Sequence, residues 1–346
     1  MNAKLSCLGL LTAGVLLIGG SAVNASGYTF FDLGTLGGTY SHGFAINNSG
    51  QVTGDAFTLN DAAYHSTLWN GTTATDLGTL GGTLSAARAV NNTSQVAGHS
   101  SLTGDAATHA TLWNGATATD LGAPLGGTFS FATAINDAGL VTGFAYTAGN
   151  AAYHATLWNG TTATDLGTLG GTLSAARTIN NLGQVAGWAQ NGAGAYRAFL
   201  WKGTTMTDLG ALGGTYSAAF AINDAGQIVG EAQNSDGAYR ACLWNGTTVT
   251  DLGTLGGTYS AAFAINNAGQ VTGYSSLPGD AVTHATLWNG TTMTDLNSFL
   301  DANTVNAGWV LSEATGINDS GWIVGWAHNA NLGVDRAFLM IPIPGP

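Results

Sequence analysis

Residues 251–294 read DLGTLGGTYSAAFAINNAGQVTGYSSLPGDAVTHATLWNGTTMT, and near copies of this stretch run along the whole chain. Asp-Leu recurs at Asp32, Asp76, Asp120, Asp165, Asp208, Asp251 and Asp295, at intervals of 44, 44, 45, 43, 43 and 44 residues. Each copy holds four short β-prone runs separated by turn signals. They are the run ending in Ala-Ile-Asn, the Gln-Val run after Asn-x-Gly, the run ending in Leu-Trp, and the Thr-rich run after Asn-Gly. Four antiparallel strands in a unit of this length, repeated four to eight times, is the pattern of a propeller blade. The expected fold is therefore all-β, a seven-bladed β-propeller of four-stranded antiparallel blades. The repeats, starting at 32, 76, 120, 165, 208, 251 and 295, occupy a single domain over 26–342. A short Pro-rich tail, 343–346, follows it.

The 346 residues include 53 Gly but only 5 Pro, and mean hydropathy is +0.16. Collagen-like and disordered classes are excluded, because glycine follows no three-residue period and 45% of the chain is apolar. Seven Lys and Arg against 19 Asp and Glu give a net charge of −12, so nucleic acid and anionic membranes are poor partners. Lys4, the apolar run Leu5 to Gly20 and the small residues of Val23-Asn24-Ala25 form a secretory signal pattern over 1–25, with a cut before Ser26. A membrane anchor is the competing reading, but the run falls short of the usual ~20 apolar residues. The expected location is secreted or extracellular, with the periplasm or cell surface as variants and no membrane span in the mature chain. Cys7 leaves with the signal and Cys242 stays alone, so no internal disulfide forms.

Taking Asn70-Gly71 as a two-residue hairpin loop makes opposed residue numbers sum to 141, which sets His65 against Asp76. The same rule pairs His109 with Asp120, His154 with Asp165, Arg197 with Asp208, Arg240 with Asp251 and His284 with Asp295. Arg336 and Asp32 are left over at the two ends. They meet if Tyr28 to Leu33 supplies the last strand of the seventh blade, which also removes exposed strand edges. Repeat two has Thr93-Ser94 where the others have a glycine turn, so its turn is expected to differ. Trp69, Trp113, Trp158, Trp201, Trp244 and Trp288, with Met340 in seventh place, are expected to pack between blades rather than stack on sugars.

The DLGTLGG, AINxxGQVxG and HATLW or RAFLW segments resemble the bacterial extracellular repeat family named HAF after its His-Ala-Phe tripeptide. The resemblance covers residues 28–342, and the last unit, from Asp295 through Ile317-Asn-Asp-Ser-Gly321, resembles the family's terminal repeat. It implies secretion and a propeller-like fold, without an established activity. Members often end in a Pro-Glu-Pro sorting segment with a membrane helix, from which Pro342-Ile-Pro-Gly-Pro346 departs.

Function is sought where the repeats disagree. The residue after the GQVxG glycine is Asp55, His99, Phe144, Trp188, Glu231, Tyr274 or Trp326, and Arg88 and Arg177 break the pattern of strand one. Mixed aromatic, acidic and imidazole groups suit recognition of a glycan or an extracellular protein, on the face shared by the variable loops and the DLGTLGG connections. The bland reading is unconstrained variation on solvent-facing loops. No nucleophile elbow, phosphate loop or zinc spacing appears, so neither a catalytic set, a cofactor nor a metal is expected. Asp137, Asp224 and Asp319 in Asn-Asp-x-Gly turns are weighed for calcium and assigned to capping of backbone amides. The expectation is a non-enzymatic binding or structural module. The alternatives are a polysaccharide-active hydrolase or lyase using Glu231 and Glu313, the only Glu residues, or a passive matrix component.

Overall fold

The computed structural model describes residues 27–344, apart from Thr247 and Thr291. The expected export signal lies outside the described residues. Following a short strand β1 (Tyr28–Asp32), the first blade is built from β2 (Gly37–Ile46), β3 (Gln51–Thr58), β4 (Tyr64–Asn70) and β5 (Thr73–Asp76), hydrogen-bonded in that order. Five further four-stranded antiparallel sheets repeat this meander, and a seventh is assembled from both ends of the chain. In that last blade Trp309–Ile317, Ile323–Asn329 and Val334–Pro342 are completed on the outside by β1, with Tyr28 against Pro342 and Asp32 against Phe338. The protein is a seven-bladed β-propeller.

The outer hairpin differs in register from the sum-of-141 expectation. Asn70 pairs with Thr73, Trp69 with Ala74 and Thr67 with Asp76, so the two-residue loop is Gly71-Thr72. Gly71 has φ +59° while Thr72 stays at negative φ, which is the II′ geometry that wants glycine first. Sliding by two residues preserves which face each side chain occupies, since strand periodicity is two. His65 therefore still reaches Asp76, diagonally: Nδ1 lies 2.8 Å from the carboxylate. His109–Asp120, His154–Asp165 and His284–Asp295 repeat this at 2.7–2.8 Å. The arginine versions divide. Arg197 keeps the expected ion pair with Asp208 at a long 4.0 Å, and Arg240 forms no ion pair with Asp251 among the described residues. Arg336 donates to the Thr39 carbonyl in the next blade rather than to Asp32. A guanidinium on a longer stem overshoots the carboxylate that an imidazole reaches.

The repeated aspartate has a second duty in every blade. Its Oδ1 accepts the amide two residues on, from Asp32–Gly34 at 2.9 Å to Asp295–Asn297 at 2.9 Å, and so holds the turn into the next blade. Next along, a buried serine ties neighbours together: Ser85 Oγ donates to the Gly78 carbonyl and accepts the Ser66 amide of the previous blade. The tryptophans behave as expected. Trp69 is buried against Val52 of its own blade and Leu33, Val324, Ala337 and Leu339 on blade seven's side. Trp158 packs on Ala97, Ala110 and Leu121 of blade two's side, and Met340 is buried in the closing blade. Cys242 is a buried free thiol.

The Asn-x-Gly turns close the inner end of the molecule. Asn47 Oδ1 caps its own turn by accepting the Ser49 and Gln51 amides, while its Nδ2 donates to the Asn91 carbonyl in the next blade at 3.0 Å. Asn91, Asn136, Asn180, Asn223, Asn266 and Asn318 pass the same bond on at 3.0–3.2 Å, and Asn318 returns it to Asn47. The turn of repeat two is not altered after all: Ser94 takes φ +66°, the conformation its glycine counterparts hold, and its hydroxyl bonds Gln51 at 2.7 Å.

Two predictions follow from this architecture. Deleting residues 28–33 should leave the outer edge of blade seven open and cause aggregation or a large fall in Tm; a deletion variant as stable as the parent would refute the two-ended blade. Asn180→Ala should cost about 2–3 kcal/mol in thermal unfolding, because it orphans two part-buried turn amides and the buried Asn223 carbonyl. The exposed neighbour change Asn181→Ala is the control. Equal effects of the two would remove the ring from the list of fold determinants.

Candidate functional site: the central channel

In each blade the innermost strand runs from the DLGTLGG connection to the asparagine ring, and in each it carries a β-bulge. Gly43 pairs with Gly54 and Ala45 with Thr53, leaving Phe44 as the extra residue. The corresponding bulge residues are Arg88, Thr133, Arg177, Phe220, Phe263 and Thr315. A bulge re-aims its side chain, and here all seven turn into the axis, where they form a girdle around a cavity of about 610 Å³.

The glycine of GQVxG explains why the bulge is possible. A Cβ on Gly54 would stand 1.8 Å from the His42 carbonyl oxygen, and the equivalent distances at Gly98, Gly143, Gly187, Gly230, Gly273 and Gly325 are 1.9–2.1 Å. The second strand must lack a side chain where the carbonyl of the residue two before the bulge comes close. Glycine inside a strand is a known mark of close backbone approach, and it is the signal in the sequence that would have located the girdle.

Four of the nine expected ligand residues, Arg88, His99, Phe144 and Arg177, line this cavity. Asp55, Trp188, Glu231, Tyr274 and Trp326 do not; they are half-buried on the second strands, opposite the residue two before the bulge. Trp188 meets Tyr153 and Tyr196 edge-on at 5.8 and 5.2 Å, and Tyr274 packs on Phe263 at 5.4 Å. Trp326 lies 5.4 Å from the His42 ring. Glu231 accepts the Tyr216 hydroxyl at 3.1 Å, and Asp55 sits 3.9 Å from His42. Sequence reasoning missed Phe44, Phe131, Thr133, Phe220, Phe263 and Thr315 as lining residues, and Glu313 enters only as the enzymatic alternative.

Aromatic contacts run unbroken across blades two to four. His99 meets Phe131 at 5.0 Å, Phe131 stacks on Phe144 at 5.0 Å and 21°, and Phe144 contacts Tyr153, which continues to Trp188. Thr133 and Thr315 spend their hydroxyls on backbone carbonyls of the next blade, at 2.9 and 2.7 Å. Arg88 lies 4.2 Å over the Phe44 ring, a cation–π stack.

Burial dominates the electrostatics. It lowers His42 to about 4, against the pull of Asp335 and with help from Arg88, and lowers His99 to about 3, so both rings are neutral near pH 7. Burial pushes Asp55 up to about 6, with Arg88 opposing, and raises Glu231 and Glu313. Tyr274 is pushed up to about 12 by burial and then by Glu231 and Glu313.

The far mouth of the channel is polar. Seven backbone amides there bond the Asn or Asp of the following blade at 2.8–3.0 Å, in a second closed circuit through Asn48, Asn92, Asp137, Asn181, Asp224, Asn267 and Asp319. The three aspartates thus cap amides of a neighbouring blade, while the preceding asparagine caps the turn itself. Among the described residues no three His, Cys, Asp or Glu side chains are grouped to hold a metal ion.

No protein-family model and no curated protein matches this chain. Similarity to solved structures extends to the fold alone. A puromycin-hydrolysing peptidase from Mycobacterium tuberculosis aligns with TM-score 0.52 at 10% identity, over 90% of this chain and 56% of that one. TolB from Acinetobacter baumannii aligns at 0.49 and 10% identity, over 86% of this chain and 65% of its own length. This chain therefore spans less than two thirds of either protein. The six-bladed fucose-recognising lectin from Aleuria aurantia aligns at 0.39 and 10% identity, covering 94% and 99% of the two chains.

Asp55→Asn tests the channel's electrostatics. Asp55 titrates higher folded, about 6, than its ordinary 3.8, so the folded state's advantage from a protonated Asp55 is present below about pH 4 and lost as pH rises through 6. The variant should gain on the parent across that window, by about 2–3 kcal/mol at pH 7, measured as the difference in Tm against pH. A pH-independent difference would show that Asp55 carries no such penalty.

Proposed function

We propose that this chain is a secreted extracellular repeat protein of the HAF type that binds a carbohydrate in and around the open channel, without breaking bonds in it. One observation supports the reading above the others. Turn, packing and ring positions keep nearly the same residue in all seven blades, yet the bulge positions facing the cavity hold three Phe, two Arg and two Thr. A purely structural ring would repeat there too. The cavity falls within the range of about 300–1,000 Å³ typical of ligand sites and offers aromatic faces with a few polar groups, which is how sugar rings are held. Recognition of an extracellular protein by the same face is the second reading of this module.

The carboxylates Asp55, Glu231 and Glu313, of which only Glu313 lines the cavity, come from blades one, five and seven, spread around the axis rather than paired. This arrangement supports holding a ligand over acid catalysis by two adjacent carboxyl groups.

The purified chain should be retained on one or more polysaccharides of an affinity panel. Phe131→Ala and Phe144→Ala, both in the cavity lining, should each weaken that retention about tenfold while leaving Tm within a few degrees of the parent. Retention insensitive to both changes would sink the channel assignment, and a panel blank throughout would favour the passive matrix component.

A further inference from the structure

We propose that the channel's ligand is an acidic saccharide, and that Arg88 and Arg177 take its carboxylate. The inference rests on the binding-module reading above and adds the charge class of the ligand. The chain has only seven Lys and Arg and a net charge of −12, yet two of those cations occupy bulge positions aimed into one cavity. Neither has a carboxylate within 4.0 Å, nor a side-chain hydrogen bond to any acceptor, among the described residues. Outside the cavity Arg197 donates to the Gly214 carbonyl and Arg336 to that of Thr39, while Arg240 has no side-chain acceptor among the described residues. Arg88 is half-buried and Arg177 is open to the channel, so both guanidinium groups keep free donors that an incoming anion can take.

Both cations line one cavity, and desolvation first and the Arg88 charge second hold Arg177 below its ordinary value, while Asp55 works against desolvation at Arg88. An anion placed between the two arginines meets both charges, and a carboxylate matches the planar fork of donors that each presents.

The lining narrows the anion further. Arg88 belongs to blade two and Arg177 to blade four; between them blade three presents Phe131, stacked on Phe144. An inorganic ion would leave that aromatic surface and most of the 610 Å³ unused, whereas a uronate sets its carboxylate on the arginines and its ring face on Phe131. Glu313 lines the side of the cavity contributed by blade seven. The cavity is thus polarised, with donors for an acid on one side and an acceptor for sugar hydroxyls on the other.

Titration calorimetry with oligogalacturonate, its fully methyl-esterified form, a neutral gluco-oligosaccharide and inorganic phosphate tests this. The acid form should bind, weaken as salt rises, and lose about tenfold or more in affinity on esterification. Arg88→Gln and Arg177→Gln should each weaken the acid form about tenfold, and the Lys variants should recover part of the loss, which separates a charge effect from misfolding. Equal binding of acid and ester, binding indifferent to both Gln changes, or phosphate competing as well as the uronate would overturn the proposal. Binding confined to the neutral sugar would overturn it and leave the module reading standing. No binding to any saccharide would overturn both.

Discussion

Seven asparagine side chains, each donating to the carbonyl of the next blade, make the one circuit on which the rest of the architecture depends. A propeller blade cannot bury its faces alone, so its stability comes from contact with neighbours on both sides. The carboxamide is suited to this junction because it has an acceptor and a donor on one rigid plane. The acceptor fastens the hairpin of its own blade, and the donor fastens that hairpin to the next. Because the bonds are buried, failure of one leaves several polar groups unpaired together. The circuit closes only if the number of blades and the pitch between them agree, so the ring also measures the count.

Around this inner fastening the outer one is covalently open. The described residues begin and end in the same blade, and β1 lies along Val334–Pro342 as its fourth strand. Serines, tryptophans and the Asp-Leu-Gly turn then join each blade to the next at increasing radius, the first two in buried surroundings. The His–Asp pairs lie further out and are partly exposed. Such cross-strand pairs contribute only about 0.2–1 kcal/mol each, which is consistent with arginine replacing histidine in three blades, of which only the Arg197 blade keeps a long ion pair.

The channel shows how a repeat protein acquires an individual site without disturbing its frame. The bulge in each inner strand, permitted by the bare glycine beside it, gives every blade one side chain that faces the axis and takes no part in sheet pairing. Those seven positions are released from the demands that keep the others alike. They have diverged into aromatic, cationic and hydroxyl groups, and the second strand's residues behind them have diverged as well. Frame and site are therefore written in neighbouring residues of the same motif.

The sequence by itself determined the blade count, the strand order within a blade, the two-ended closure, and the inter-blade tryptophans, because these follow from repeat spacing, turn glycines and a period of two. It also marked Arg88, Arg177, His99 and Phe144 as departures worth attention. Only the tertiary structure decided the rest. The hairpin loop is Gly71-Thr72, since the II′ turn sets where positive φ falls; Arg336 reaches Thr39, since reach in space rather than register selects a partner. Which divergent residues face the cavity was settled by a bulge that shifts one residue out of the pairing. That shift arises from the close passage of two backbones, a property of the folded sheet that no spacing along the chain records.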